Sequence, residues 1–364
     1  MQDAVNRKWQ IAPHDQAQVA DLQRSAKVPA IVAQLLLTRG IDEPSRAEAF
    51  LHPKLSDMRD PQGFPDLERA VDHIFEAIEK KRPIMIHGDY DADGITGTAI
   101  LYRCITLLGG MARYYIPNRL ADGYGLKTEA LKKFAQDGIA LVITVDCGIA
   151  NVEEATAAKQ LGLDLIVTDH HTPGAELPAA LAILHPGLPD RPYPFAGLCG
   201  AGVAFKLAWG LCQRKSGSKR VTPQLKKFLL QAVGLAAIGT VADVVPLLDE
   251  NRSLVHHGLT SLLQQPVPGL VELMKITSLK EKRRLGGEDI GFTIAPRLNA
   301  AGRLGQAPLA VELLTTDDTQ RARSLADYLH ELNKSRESIE RSVYLAANKQ
   351  AQAQLDAGAQ SALV

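Results

Sequence analysis

Five short apolar runs that alternate with helical stretches constrain the fold of this chain more than any other feature. Each run has four or five residues, and the runs are Ile84–His87, Arg113–Ile116, Leu141–Val145, Leu165–Thr168 and Leu181–Leu184. Strands separated by helices form βαβ units, in which the strands are parallel. A short helix between the third and fourth runs fits this pattern, because Asn151 can cap it and Gly162 can end it. We therefore predict an α/β fold with a parallel sheet and flanking helices.

Helical segments precede and follow the predicted strands in the sequence. A short helix over Pro44–Leu51 is part of a helical N-terminal extension that we place at residues 1–66. After about residue 201 the chain is mostly helical, and Asp317 or Asp318 can cap a long helix that runs to about Leu355. We expect residues 316–357 to be a connector helix between two domains. The final residues 358–364 would then begin a second, truncated domain, with a new strand at Ala362-Leu363-Val364.

The composition excludes several classes of protein. The 364 residues include 41 Lys+Arg and 41 Asp+Glu, so the net charge of zero gives no sign of a generally basic protein. Hydrophobic residues at 46% are typical of a soluble globular protein. The four cysteines form no CxxC pair, which favours reduced thiols in a cytoplasmic protein. The polar N-terminal residues lack the apolar stretch of about 7–15 residues that a signal peptide needs.

One apolar segment, Gln231–Leu248, is close to the length of a membrane span. Asp243 lies within it, and a carboxylate inside a bilayer costs roughly 2.5–3.5 kcal/mol. We therefore expect no membrane contact, and interpret the segment as a buried core helix that leads to an acidic ligand.

Acidic and imidazole groups follow three of the predicted strands at the point where each strand ends. The first strand leads into His87-Gly88-Asp89-Tyr90-Asp91-Ala92-Asp93-Gly94, the third into Asp146, and the fourth into Asp169-His170-His171. Ligands of open parallel sheets bind at the carboxyl ends of the strands, so these groups converge at one edge. Taken alone, Asp146 or Asp169 fits a helix cap, and His256-His257 fits a surface pair. The combination of three strand ends indicates a common site.

A metal centre resolves the repulsion among these carboxylates, because like charges a few ångströms apart cannot all stay ionised. Carboxylates with one or two imidazoles suit Mn²⁺ or Mg²⁺. The number of ligands predicts two ions about 3.5–4 Å apart, which is typical of phosphoester chemistry. Asp243 is a further candidate ligand, since a buried carboxylate needs a cationic partner.

Two groups of glycines lie next to predicted helix starts. Gly94 and Gly97 open one helix, and Gly197, Gly200 and Gly202 precede another. Free N–H groups at a helix start favour an anion. A tight turn without a ligand is the alternative for both groups, and the sequence leaves the choice open.

These residues resemble the motifs of the DHH phosphoesterase superfamily and, within it, of the single-strand-specific 5′→3′ DNA exonucleases. The superfamily motifs correspond to Gly88–Gly94, Val145-Asp146, Asp169-His170-His171 and Gly239–Asp243. The narrower match comes from further segments, which are Arg39-Gly40-Ile41, Phe50-Leu51, Pro117-Asn118-Arg119, Asp122-Gly123-Tyr124-Gly125 and Pro296–Arg303. The resemblance covers nearly the whole chain and implies that residues 67–315 form a DHH phosphoesterase catalytic domain.

The resemblance also implies roles for individual residues. One metal would be held by Asp91 and Asp146, with His87 as a further candidate, and the other by Asp93, Asp146, His170 and Asp243. Catalytic roles fall to Asp146 as the bridge, to His171 at the scissile phosphate, where it positions the phosphate or assists proton transfer, and to Asp89 as an outer ligand or an orienting group. The substrate-binding candidates are the phosphate contacts Arg119, Arg297 and Arg303, the base-stacking Tyr124, and Asn299 of the same motif.

The implied activity is Mn²⁺- or Mg²⁺-dependent hydrolysis of single-stranded DNA to mononucleotides from the 5′ end, in repair and recombination. Candidate partners are a single-strand-binding protein and a helicase. Two alternatives remain, namely a phosphoesterase for short oligonucleotides or small phosphate compounds and a non-catalytic single-strand-binding scaffold. If six acidic residues of the motifs are assigned to the metals, 41 basic and 35 acidic residues remain, so the rest of the protein has a net charge of +6. We expect a strand to follow the basic stretches Lys215–Lys227 and Lys280–Arg284.

Overall fold

The computed structural model describes residues 13–119, 121–359 and 361. The strand expected at Ala362-Leu363-Val364 lies outside the described residues. The chain divides into two compact units between Met58 and Arg59. The domain boundaries and roles expected from the sequence stay predictions.

The first unit is helical within its described residues. It contains α1 (Gln16–Ala26), α2 (Ala30–Leu37), α3 (Pro44–Leu51) and a 3₁₀ turn at Leu55–Asp57. Helix α1 begins at Asp15, whose Oδ1 accepts from the N–H of Ala17 at 2.8 Å, as expected of an N-cap. The buried apolar residues of the first unit include Leu22, Ala33, Leu36, Ile41 and Ala47.

The second unit contains the predicted sheet, and all five strands are parallel. They are β1 (Ile84–His87), β2 (Ala112–Tyr115), β3 (Leu141–Val145), β4 (Asp164–Thr168) and β5 (Ala182–Leu184), in the order β2-β1-β3-β4-β5. The strand order reverses between β1 and β3, since the chain adds β2 on one side of β1 and the later strands on the other. Such a switch point opens a crevice at the carboxyl edge of the sheet.

Helices cover both faces of this sheet. Those of the second unit are α4 (Leu67–Glu79), α5 (Ala92–Leu107), α6 (Thr128–Gln136), α7 (Val152–Gln160), α8 (Gly200–Ser216), α9 (Pro223–Ala242), α10 (Asp249–Gln264), α11 (Pro268–Ile276), α12 (Gly287–Asp289), α13 (Ala295–Arg303), α14 (Ala307–Thr315) and α15 (Thr319–Asp356). Shorter turns are the 3₁₀ segments Pro61–Gly63 and Leu279–Glu281 and a π-helical segment at Ile290–Ile294.

The alternation of side chains along the strands divides the core into two layers. Met85, Val142 and Val167 point to the face covered by α6 and α7, where Phe134 and Leu131 are buried. The opposite face packs against α5 and α8, and α9 packs on these two helices. Strands β1, β3 and β5 are buried along their whole length and β4 along all but its first residue, which explains why they appear in the sequence as continuous apolar runs. The edge strand β2 is only partly buried.

Helix α9 is the one described helix long and apolar enough to cross a membrane, but 67% of the relevant window is buried inside the protein. The prediction of a buried core helix that leads to an acidic residue fits this burial, although the apolar segment continues beyond the end of the helix. The helix ends at Ala242, and Asp243 is its C-cap rather than a mid-helix residue. Asp243 therefore lies where the last turn of the helix meets the edge of the sheet.

The long helix expected near the end of the chain is present as α15. Its N-cap is Asp318, whose Oδ1 accepts from the N–H groups of Gln320 at 2.8 Å and Arg321 at 3.1 Å. Buried residues occur along it from Ala322 to Asn333, and the later apolar side chains such as Ile339 and Val343 are exposed. Its role as a connector between domains stays a prediction.

Candidate metal centre

The loop after β1 turns directly into helix α5, and its carboxylates cap that helix. Asp91 Oδ1 accepts from the N–H groups of Asp93 at 2.9 Å and Gly94 at 3.0 Å. Asn299 Oδ1 accepts from the N–H of Ala92 at 2.7 Å. These N–H groups are thus bound to protein side chains, which favours the tight turn over the anion site that the sequence also allowed.

Asp93 belongs to α5, but its side chain contacts the N-terminus of a second helix, α8. Its buried carboxylate accepts from the N–H groups of Gly200 at 2.7 Å and Ala201 at 2.9 Å. The anion at this helix start is therefore Asp93 itself, so the glycines before α8 do not offer a separate phosphate site. Burial, and then the charge of Asp91, raise the pKa of Asp93 to about 6.

Asp146 follows β3 in a strained backbone conformation. Its φ of +62° lies in the left-handed region, which residues with a side chain rarely adopt. The conformation is held by its N–H, which donates to Thr168 O at 3.0 Å, and by its carbonyl, which accepts from the Tyr124 hydroxyl at 3.0 Å. Burial and the neighbouring Asp93 hold the pKa of Asp146 well above its usual value. Such strain is often found at functional sites.

Asp169 organises the turn after β4. Its Oδ1 accepts from the backbone N–H groups of His170 at 2.7 Å and His171 at 3.1 Å, and its Oδ2 accepts from Ile149 N–H at 2.9 Å. Burial opposes ionisation of Asp169, but these hydrogen bonds and the His171 ring together lower its pKa. Asp169 therefore stays ionised and orients the two histidines.

The pKa values of the two histidines are shifted in opposite directions. Burial lowers the pKa of His170, whereas the hydrogen bond to Asp169 raises the pKa of His171. His171 Nδ1 lies 2.8 Å from Asp169 Oδ1 and 3.0 Å from the Tyr124 hydroxyl. Since the hydroxyl donates to the carbonyl of Asp146, its contact with His171 requires a proton on Nδ1.

The carboxylates and imidazoles form three overlapping groups whose ligand atoms lie within 4.8 Å of one another in each group. The groups are Asp146, His170 and His171; Asp93, His170 and Asp243; and Asp89, Asp91 and Asp146. His170 Nε2 lies 3.1 Å from Asp146 Oδ1 and 3.7 Å from Asp243 Oδ2. Asp146 and His170 each belong to two groups, which is the arrangement expected of shared or adjacent ions.

Several atoms of these groups are buried without any hydrogen-bond partner. Asp89 Oδ1, Asp146 Oδ1 and His170 Nε2 are all in this state, although the last two lie 3.1 Å apart. An unpaired buried polar group is costly and needs an explanation. Oxygen and imidazole nitrogen are the ligands that Mn²⁺ and Mg²⁺ accept, so the residues fit bound cations.

Burial and the repulsion between carboxylates both raise the pKa values of the remaining carboxylates. Burial, followed by the charge of Asp91, raises the pKa of Asp89 to about 7 and that of Asp243 to about 6. The metal-free protein therefore holds protons at positions where a bound cation would replace them.

His87 is not part of any of these groups among the described residues. Its buried ring lies among Tyr115 and Phe134, and its Nδ1 is 3.7 Å from the Cys147 sulfur. Burial lowers the pKa of His87 to about 4. The side chain lies on the face of the sheet covered by α6 and α7, because it alternates with Ile86, so the geometry does not support it as a ligand.

A cavity of about 320 Å³ adjoins the carboxylate groups. Its lining residues are Asp89, Tyr90, Asp91, Arg119, Tyr124, His171, Asn299 and Arg303. Four of the five substrate-binding candidates thus lie together. Arg297 lies elsewhere, with its Nε donating to His330 Nδ1 at 3.1 Å and its Nη1 to Thr293 O at 2.6 Å. Tyr124 is 42% exposed, so its ring is accessible for the predicted stacking on a base. Its hydroxyl contacts the carbonyl of Asp146 and the ring of His171.

One residue of the site, His185, was missed from the sequence. Its Nδ1 accepts from Gly187 N–H at 3.0 Å, so its Nε2 carries the proton and donates to the carbonyl of His171 at 2.7 Å. This bond supports the turn that presents His171. The signal was present, because His185 directly follows β5 in the same way that the acidic groups follow β1, β3 and β4.

The first basic stretch lies far from this site. The N-terminus of α8 and the C-terminus of α9 meet the carboxylates, whereas Lys215–Lys227 lies at the other ends of these helices of 17 and 20 residues. At a rise of about 1.5 Å per residue the separation is about 25–30 Å. Lys219 also pairs with Asp60 at 2.7 Å. The expectation that a bound strand follows this stretch stays a prediction, and the cations that line the cavity are Arg119 and Arg303.

Replacing Gly200 with alanine is expected to disturb the centre, because the added Cβ would lie 2.5 Å from both Cβ and Oδ1 of Asp146. We expect a loss of about 1–3 kcal/mol in the free energy of unfolding and weaker Mn²⁺ binding, measured by denaturation and by calorimetric titration. Gly286→Ala is the matched control, since nothing lies within 4 Å of its added Cβ. Equal behaviour of the two variants would show that Gly200 does not pack against Asp146 in this way.

The fold and the site define a DHH-type metal-binding domain, and a family model described as "DHH family, N-terminal domain" matches residues 83–240. The chain is 39% identical to a solved structure of exonuclease RecJ bound to manganese, with a TM-score of 0.71, covering 79% of this chain and 70% of that one. The chain therefore belongs to the RecJ family, which confirms the resemblance and the α/β fold class inferred from its motifs.

Curated relatives support the same assignment. The chain is 43% identical to the single-stranded-DNA-specific exonuclease RecJ of Bacillus subtilis, over 92% of this chain and 41% of the relative. It is 36% identical to that of Escherichia coli, over 94% and 59%. A structure of RecJ from Thermus thermophilus in complex with Mn²⁺ is 35% identical, with a TM-score of 0.78, over 94% and 47%. The chain spans about half the length of the curated relatives it matches.

Proposed function

We propose that this chain contains the catalytic site of a two-metal exonuclease that hydrolyses single-stranded DNA to mononucleotides from the 5′ end. The observation that carries the proposal is the pair Asp146 Oδ1 and His170 Nε2, buried 3.1 Å apart with no hydrogen-bond partner. The relatives named for this activity, and their structures with Mn²⁺ and Mg²⁺, favour the same ions here.

Each ion would have its own ligand set with Asp146 in common. Asp89 and Asp91 would hold one ion with Asp146, and Asp93, His170 and Asp243 would hold the other. Asp146 would also reach the second ion, because its Oδ1 lies 3.1 Å from His170 Nε2. Bound divalent ions lower the pKa of water and neutralise charge on a phosphate. Compared with the sequence-based assignment, Asp89 becomes a ligand and His87 is omitted.

The remaining residues of the site would bind and orient the substrate. His171 is half-exposed at the cavity with its Nδ1 proton held by Asp169 and Tyr124, so its Nε2 edge would position the scissile phosphate. Arg119 and Arg303 are exposed at the cavity and would bind phosphates, for which the guanidinium group is suited. Arg119 also lies 5.2 Å from the Tyr90 ring centre, which holds it at the cavity mouth.

The wider biological role follows from the same proposal. We place the enzyme in the cytoplasm, in DNA repair and recombination, with a single-strand-binding protein and a helicase as partners that deliver the strand. The local positive charge at Arg119 and Arg303 makes binding sensitive to salt although the net charge of the chain is zero.

Single-stranded oligonucleotides labelled at either end test the activity and its direction. With Mn²⁺, we expect the 5′ label to be released as a mononucleotide from the start, while the 3′ label stays on progressively shorter products. Equal early release of both labels, or hydrolysis of dinucleotides alone, would contradict the proposal and favour the short-oligonucleotide alternative. Tight binding of single strands with no hydrolysis would favour the scaffold.

A further inference from the structure

An exposed aromatic side chain, Phe292, lies near the metal centre and has no role in the core. It is 82% exposed, whereas Ile290 and Ile294 on either side of it are fully buried. The two isoleucines anchor the segment and fix Phe292 on the outer side. Exposure of a large aromatic group forgoes about 1.5–3 kcal/mol of burial.

The backbone under Phe292 is unusual. Residues Ile290–Ile294 form a π-helix, and the N–H of Ala295 donates to the carbonyl of Ile290, five residues earlier. Such segments are rare and frequently occur at functional sites. Here the segment joins α12 to α13, so Phe292 precedes the first turn of α13.

Phe292 shares a line of helical spacing with two residues of the cavity. Positions 292, 296, 299 and 303 follow helical spacing, and all four are at least partly exposed, while the facing side of α13, including Leu298, is buried. Asn299 contacts the start of α5 and Arg303 lines the cavity. Seven residues of helix place Phe292 about 10 Å from Asn299, which is about three nucleotides at the roughly 3.4 Å rise of a stacked strand.

The other side of the segment adjoins the end of α9. A Cβ built on Gly291 would lie 3.8 Å from Val241, two residues before Asp243. Val244, directly after that ligand candidate, is 84% exposed and has a φ of +61°. A β-branched residue in the left-handed region is a strained conformation of the kind found at functional sites. Two exposed apolar side chains therefore lie along the edge that leads away from the carboxylates.

We infer that Phe292 is a stacking platform for one base of the bound single strand, within about three nucleotides of the scissile phosphate. The inference rests on the proposed function. Its occupant is a nucleobase because Phe292 continues the line of Asn299 and Arg303, and an aromatic side chain next to phosphate-binding arginines is the usual composition of a single-strand groove. Stacking accepts every base, so the platform contributes affinity without sequence preference.

Oligonucleotides that lack a single base at successive positions from the 5′ end test this inference. For the wild-type protein with Mn²⁺, we expect KM to rise about fivefold to 100-fold when the stacked base is missing, with kcat unchanged. Phe292→Ala should show the same rise with the intact strand and no further rise at that position, whereas Phe292→Tyr should retain the wild-type pattern. Tyr344→Ala is the matched control, since Tyr344 is 64% exposed on α15.

The outcomes separate this inference from the proposed function. No hydrolysis of any strand by the wild-type protein would contradict the proposed function itself. Hydrolysis with the same response to missing bases in wild type and Phe292→Ala would overturn the stacking role alone. A loss of unfolding free energy in Phe292→Ala, with KM unchanged, would show that Phe292 packs against protein and would also overturn it.

Discussion

Replacing Asp146 with asparagine is expected to reduce hydrolysis of single-stranded DNA by at least about 1,000-fold and to stabilise the metal-free protein. The loss follows from removing the one carboxylate that we propose is shared by both ligand sets, because electrostatic stabilisation by a bound metal is worth several kcal/mol. The gain follows because burial, and then the charges of Asp93 and Asp91, oppose ionisation of Asp146 in the folded protein, whereas asparagine has no group to ionise. Asparagine tolerates the left-handed φ of +62° at this position, so the backbone is retained.

Two measurements check this pair of effects. Initial rates with Mn²⁺ measure the loss, and denaturant unfolding in the presence of a chelator at pH 8 measures a gain of about 1–3 kcal/mol. Asp164→Asn is the matched control, because Asp164 lies at the opposite end of β4 and is partly exposed. Near-normal rates in Asp146→Asn, or a destabilised metal-free variant with the control unchanged, would contradict the assignment of Asp146 as a bridge between cations.

The stability of the metal-free protein is expected to fall as the pH rises from about 4 to 7, and Mn²⁺ is expected to reverse this fall. The folded-state pKa values of Asp89, at about 7, and of Asp93 and Asp243, at about 6, lie above the unfolded value of about 3.9. Over this range the unfolded chain releases protons that the folded protein still holds, so stability decreases with pH. Mn²⁺ binds the deprotonated ligands and stabilises most where the metal-free protein is weakest.

The measurement is the unfolding free energy with chelator and with saturating Mn²⁺ at pH 5 and at pH 8. We expect the difference between the two conditions to be larger at pH 8 by at least about 2 kcal/mol. The control is Asp146→Asn, in which this pH-dependent difference should be much smaller. An equal stabilisation by Mn²⁺ at both pH values would show that the raised pKa values do not belong to metal ligands.

The sheet was predictable because four of its five strands are almost entirely buried and therefore appear as continuous apolar runs. The bounds of β1 and β3 agree with the prediction, β4 and β5 differ from it by one residue at one end, and β2 is shifted by one residue at both ends. Val244, Val245 and Leu248 continue the apolar pattern beyond α9, whereas Pro246 indicates a nearby helix end without fixing the residue at which the helix ends. The helix ends at Ala242, with Asp243 as its C-cap.

The ligand cluster was also predictable, since parallel strands bring their carboxyl ends to one edge. The side-chain directions were not. His87 and Gly88 are adjacent in the motif, yet the pleat of β1 turns His87 toward Phe134 and away from the cluster. Arg297 and Asn299 are two residues apart on α13, and the helix points one toward His330 and the other toward α5. The distant location of Lys215–Lys227 follows from helix lengths, which the sequence indicates only approximately.

The central claim is that two cations share Asp146. Anomalous diffraction from crystals of this protein grown with Mn²⁺ measures this most directly. We expect two peaks about 3.5–4 Å apart, one beside Asp89 and Asp91, the other beside Asp93, His170 and Asp243, with Asp146 between them. A single peak, or peaks that Asp146 does not contact at saturating Mn²⁺, would contradict the claim.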